Sequence, residues 1–143
     1  MSDQILLAED NPADVYLIQR ALKEHGVGHE VQVCSDGRDI LQIVSGEGPL
    51  SKTERLALII LDLNLPRHSG IEVLERLKAN PDLSHVSVVV LTSSDSPQDR
   101  QSAQALGATL YIRKPDRLEE FLSLGLIFKN LIRDASAAQS SGR

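Results

Sequence analysis

The chain has 143 residues, 41% hydrophobic and 24% charged, with a net charge of −5 and a pI near 5.3. That length suits one domain with a sizeable core, and the acidic balance argues against sequence-independent binding to nucleic acid or anionic membrane. Nothing at the N-terminus reads as a signal peptide and no apolar run approaches a membrane span, so a cytoplasmic protein is expected.

Gln4 to Ala8 is a first strand, an apolar run ending in acid at Glu9 and Asp10. Asn11-Pro12 then caps and opens a helix, which Val15, Leu17, Ile18, Ala21 and Leu22 space helically up to Gly26. His29 to Cys34 alternates as a second strand, with lone Cys34 read as a small buried apolar residue rather than a redox thiol. Asp36 caps a helix carrying Ile40, Leu41, Ile43 and Val44 and stopping at Gly46. Residues 46–55 are polar and read as a surface loop.

Leu56 to Leu61 is uninterrupted aliphatic and reads as a strand buried on both faces, as in parallel sheets. It delivers one carboxylate, Asp62, before Pro66 and Gly70 break the chain. Ser69 to Glu72 matches a capping box opening a helix with Val73, Leu74 and Leu77 on its inner face, ended by Asn80-Pro81. Val86 to Leu91 is a fourth strand running into Thr92, Ser93 and Ser94, and Ser96-Pro97 starts a helix that Gly107 ends. Ala108 to Ile112 is a fifth strand leading to Lys114-Pro115, and Asp116 to Glu119 opens a last helix to about Arg133. Residues 134–143, composed of Ser, Ala, Gln and Gly with two charges, are expected to be a disordered tail behind a single domain over 1–133. Alternating strands and helices imply an α/β domain, a parallel sheet covered on both faces through right-handed crossovers.

In such a sheet every strand ends at the same rim, where open α/β sheets place their ligands. Glu9, Asp10, Asp62, Thr92 and Lys114 therefore converge. Each pair of carboxylates about 4 Å apart costs on the order of 4 kcal/mol at an effective dielectric near 20. Lys114 offsets part of that repulsion, and a divalent cation the remainder. An all-oxygen site that leaves room for several waters suits Mg²⁺. Glu9 and Asp10 hold the metal, with Asp62 and the backbone carbonyl of Asn64. Asp62 is placed as a nucleophile toward phosphorus, while Lys114 and the Thr92 hydroxyl attend the phosphoryl oxygens.

This set resembles the receiver domain of two-component response regulators over residues 3–133: an acidic pair at Glu9-Asp10, a phosphoacceptor at Asp62, a switch hydroxyl at Thr92 and a lysine at Lys114. The resemblance implies a flavodoxin-like, doubly wound (βα)5 fold with strand order 2-1-3-4-5. It also implies a switch aromatic at Tyr111, a cis Lys114–Pro115 peptide, and phosphoryl lifetime tuned at Asn64 and Ser94. The Asp62-Leu-Asn-Leu-Pro66 run and the loop before the third strand look like the small regulators paired with phytochrome-type histidine kinases. A sensor histidine kinase is then the expected donor. With no output domain expected, the chain would act on a separate downstream or phosphotransfer protein, or as a phosphate sink.

Two other function classes are weaker. An aspartyl-phosphate phosphatase of this architecture carries an acid/base Asp two residues after its nucleophile, and Asn64 stands there. A flavodoxin-like nucleotide binder needs a Gly-rich loop after the first strand, where Pro12 and Asp14 stand and acid would repel phosphate. His25, His29, His68 and His85 show no ligand spacing. Apolar groups on the last helix cover more than the one stripe a sheet needs. The surplus, chiefly Leu124, Ile127 and Leu131, predicts a homodimer surface with the fifth strand and fourth helix.

Overall fold

The structure, a computed structural model, describes residues 4–46 and 56–141, with side chains described as far as residue 135. Five strands, β1 (Gln4–Ala8), β2 (Glu30–Cys34), β3 (Leu56–Leu61), β4 (Ser87–Thr92) and β5 (Leu110–Arg113), form one parallel sheet ordered β2-β1-β3-β4-β5. Five helices alternate with them: α1 (Pro12–Glu24), α2 (Gly37–Val44), α3 (Gly70–Lys78), α4 (Pro97–Ala105) and α5 (Leu118–Ser141). A short 3-10 turn, Pro81–Leu83, follows α3. The expected surface loop over 46–55 lies, past Gly46, outside the described residues.

The central strands are buried on both faces because successive side chains point to opposite sides. Ile59 and Leu61 of β3 join Leu6, Val88 and Val90 in a core roofed by α2, α3 and α4. Leu58 and Ile60 join Ile5, Leu7, Val89 and Leu91 in a second core roofed by α1 and α5. The helix starts follow their local chemistry. Asn11 accepts from the N–H groups of Ala13 and Asp14, and Ser69 and Glu72 form a reciprocal capping box.

Three expectations need correction. First, α5 continues past Arg133 to Ser141, so residues 134–141 are helical rather than a loose tail. No Gly or Pro interrupts that stretch before Gly142, and Ala and Gln favour helix. Second, Leu124 is not on a free surface. It is buried against α1 and the sheet, and Ile127 and Leu131 pack half-buried on the same core. The cause is Gly125, where a Cβ would collide with the backbone carbonyl of Ala21. The missing side chain lets α1 and α5 approach closely, so α5 buries a face against α1 as well as one against the sheet. Third, no described peptide bond is cis, so Lys114–Pro115 is trans, the ordinary isomer.

Among the described residues no helix is long and apolar enough to cross a membrane.

Candidate functional site

Three of the predicted site residues have their backbones fixed by the neighbouring strand. The amide of Glu9 donates to the Cys34 carbonyl (2.9 Å), that of Asp62 to Ala8 (2.9 Å), and that of Lys114 to Thr92 (2.7 Å). Each bond continues the parallel ladder one step beyond its strand, so the side chains are delivered at the carboxyl rim in register. Gly70 keeps the next turn tight. A Cβ there would lie 2.7 Å from the Asp62 carbonyl oxygen and from Leu63 Cα. The rim loop after β3 also rests on α2, through a bond from the Gly37 N–H to the Pro66 carbonyl.

The carboxylates of Glu9, Asp10 and Asp62 offer ligand oxygens that all lie within 4.8 Å of one another. Glu9 and Asp62 are buried, whereas Asp10 is exposed. Three hard oxygen donors, one open to solvent, form a set that fits a small divalent cation retaining waters. The Lys114 ammonium sits between the buried pair, 2.9 Å from Glu9 Oε1 and 2.9 Å from Asp62 Oδ2. It also lies 2.7 Å from Asp14 Oδ2, in the first turn of α1. The remaining oxygens are engaged too: Asn11 N–H donates to Glu9 Oε2 at 3.2 Å and Asn64 N–H to Asp62 Oδ1 at 3.0 Å.

Burial, with the Asp62 charge adding to it, outweighs the Lys114 and Asn11 contacts and raises the Glu9 carboxyl to about 7 from an ordinary 4.5. For Lys114, burial pulls the other way. Its hydrogen bonds to Asp14, Glu9 and Asp62 more than offset that and hold the ammonium above the usual lysine range.

Thr92 is fully buried, and its Oγ accepts from the Asn64 side-chain amide at 3.5 Å and the Ser94 N–H at 3.4 Å. Tyr111 is turned inward and nearly buried, donating its hydroxyl to the Ser94 carbonyl at 3.1 Å. Arg100 of α4 stacks over that ring, its guanidinium carbon 4.5 Å from the centroid. Ser94 Oγ in turn donates to Asp99 at 2.6 Å. One chain of contacts thus links Thr92 to α4 and β5.

Glu9, Asp10, Asp62 and Lys114 are brought together as expected, with Thr92, Asn64 and Tyr111 linked beside them. Sequence reasoning missed Asp14 as a site residue, because its partner Lys114 lies 100 residues away in the chain. It also missed Arg100. His68 pairs with Glu72 at 3.1 Å on the surface of α3, and Cys34 is buried.

Known proteins share this fold. The response regulator receiver domain family matches residues 5–124. The response regulator Rcp1 of Synechocystis is 38% identical over 120 residues, covering 84% of this chain and 82% of its own length. The phosphorylated cyanobacterial phytochrome response regulator RcpA superposes with a TM-score of 0.80 at 37% identity, over 92% of this chain and 91% of its own. The Mn²⁺-bound form of Rcp1 does so with a TM-score of 0.81 at 35% identity, over 90% of this chain and 92% of its own. The chain belongs to the response regulator receiver domain family.

Proposed function

We propose that Asp62 accepts a phosphoryl group from a sensor histidine kinase, and that the chain signals through the surface that this modification rearranges. The observation carrying this is the Lys114 ammonium 2.9 Å from Asp62 Oδ2, beside acidic oxygens within 4.8 Å of one another, at the rim of a parallel sheet. In the transfer, an Asp62 carboxylate oxygen forms a P–O bond as the P–N bond of the donor phosphohistidine breaks. Lys114 stabilises the phosphoryl oxygens, and the Thr92 hydroxyl, at the end of β4 on the same rim and accepting from Asn64, keeps its O–H to donate to one of them. Glu9, Asp10, Asp62 and the Asn64 carbonyl would hold Mg²⁺, which when bound neutralises charge on the transferring group.

The phosphoryl group adds roughly −1.5 to −2 charge beside Thr92 and Lys114. Drawing the Thr92 hydroxyl toward that group pulls on Ser94, and through it on Tyr111, Asp99 and α4. That biases a surface of α4, β5 and α5 between two arrangements. Similarity to RcpA supports a phytochrome-type kinase as donor, and with it a cytoplasmic location. A phosphatase is less well supported, because the Asn64 amide cannot serve as acid or base.

Homodimerisation is part of the same proposal, on a face relocated from the one expected. Leu118 and Leu126 of α5 are 51% and 50% exposed, with half-buried Leu122 between them and exposed Leu110 on edge strand β5. Incubation with a small phosphodonor and Mg²⁺ tests the central claim. Acid-stable, base-labile label should appear on the wild type and be absent from Asp62→Asn; label persisting in that variant would refute the assignment.

A further inference from the structure

An ammonium offers three N–H donors, and at Lys114 three carboxylates stand within 2.9 Å, from just past β1, the first turn of α1 and just past β3. Under the function proposed above, two of these acids have other duties: Asp62 as phosphoacceptor and Glu9 as metal ligand. Asp14 has neither. It lies outside the cluster of ligand oxygens, in the first turn of α1, and its 2.7 Å contact is the shortest of the three. Since backbone amides engage the second oxygens of Glu9 and Asp62, a cation entering between them must compete with Lys114 for the same atoms. Positive charge already on those oxygens opposes the metal.

We propose that Asp14 is a positioning residue that draws the Lys114 ammonium toward α1, off Glu9 and Asp62, and so sets how readily a divalent cation enters the site. Without Asp14 the ammonium has two acceptors in place of three and settles more firmly on the pair the metal needs. The metal then binds more weakly although no ligand has been changed. The proposal rests on the function above only for the identity of the metal carboxylates.

A double-mutant cycle on Mn²⁺ affinity, measured by calorimetry without phosphodonor, tests this on the full chain. Asp14→Asn keeps the shape and removes the charge, and should weaken Mn²⁺ binding about fivefold when Lys114 is present. In a Lys114→Met background the same substitution should change affinity less than about twofold. Equal weakening in both backgrounds would mean that Asp14 acts only as a nearby negative charge, and overturns the proposal. So does an unchanged affinity in the presence of Lys114. Should Lys114→Met fail to fold, ¹⁵N-lysine NMR follows the ammonium directly: its signal should move in metal-free Asp14→Asn, and an unmoved signal overturns the proposal. A wild type that takes no label on Asp62 would instead overturn the phosphoacceptor assignment, leaving the titration interpretable.

Discussion

Glu9→Gln isolates the strain of a charge buried at the rim. Glu9 is 1% exposed and its carboxyl is raised to about 7 from 4.5. A folded-state pKa above the unfolded one means that the folded chain holds this proton more tightly. The associated stability is therefore present below pH 4.5 and is lost as pH rises through 7. At about 1.4 kcal/mol per pH unit, the ionised form costs the metal-free protein about 3 kcal/mol at pH 8. Glutamine removes that cost but presents one N–H₂ where two oxygens accepted from Lys114 and Asn11, a loss of about 1 kcal/mol. In chelator, Glu9→Gln should be more stable than wild type by about 2 kcal/mol at pH 8 and level with it to within about 1 kcal/mol at pH 5. Urea denaturation at the two pH values reads both. Magnesium should reverse the order at pH 8, since a ligand at a hundred times its Kd adds about 2.7 kcal/mol to the wild type while the variant lacks one of the proposed ligands. A variant less stable than wild type at pH 8 in chelator, or a gap that does not widen between pH 5 and 8, would refute the reasoning.

Gly70→Ala places a Cβ 2.7 Å from backbone atoms of Asp62 and Leu63 that have no freedom to swing away. It should lose about 2 kcal/mol in urea denaturation and take up label at Asp62 more slowly; stability within about 0.5 kcal/mol of wild type would show that the turn relaxes at little cost. Leu126→Glu alters a half-exposed side chain, so its stability should stay within about 0.5 kcal/mol of wild type while sedimentation velocity at tens of micromolar shows monomer where wild type shows dimer. A wild type that is monomeric with and without a phosphate mimic removes the homodimer from the proposal.

The sheet and its rim were legible because the relevant signals are local. An aliphatic run that ends in acid, as at Ala8-Glu9 and Leu61-Asp62, states both that a strand is buried and where it emerges. Capping residues at Asn11, Asp36, Ser69 and Ser96 marked four helix starts for the same reason. What was not legible depends on which distant surfaces meet. Asp14 read only as an acid unfavourable to phosphate, yet its partner Lys114 is 100 residues away. Leu124 read as surplus apolar surface because a helical wheel describes one helix and not its neighbour; its cover is α1, admitted by Gly125. Arg100 lies on a polar helix and gives no sign in sequence that it stacks on Tyr111.

The ladder bonds at Glu9, Asp62 and Lys114 separate where the charge changes from where the protein can answer it. These three amides belong to the hydrogen-bond lattice of the sheet, so they should open only with the most stable unit of the molecule. The residues just beyond them, Asn64 and Ser93 to Ser96, lie in loops outside that lattice. If Asp62 is the phosphoacceptor, its backbone should therefore stay in place when it is modified. Under the proposed function, the response spreads by side chains and loops rearranging around an acceptor whose backbone stays in the sheet lattice.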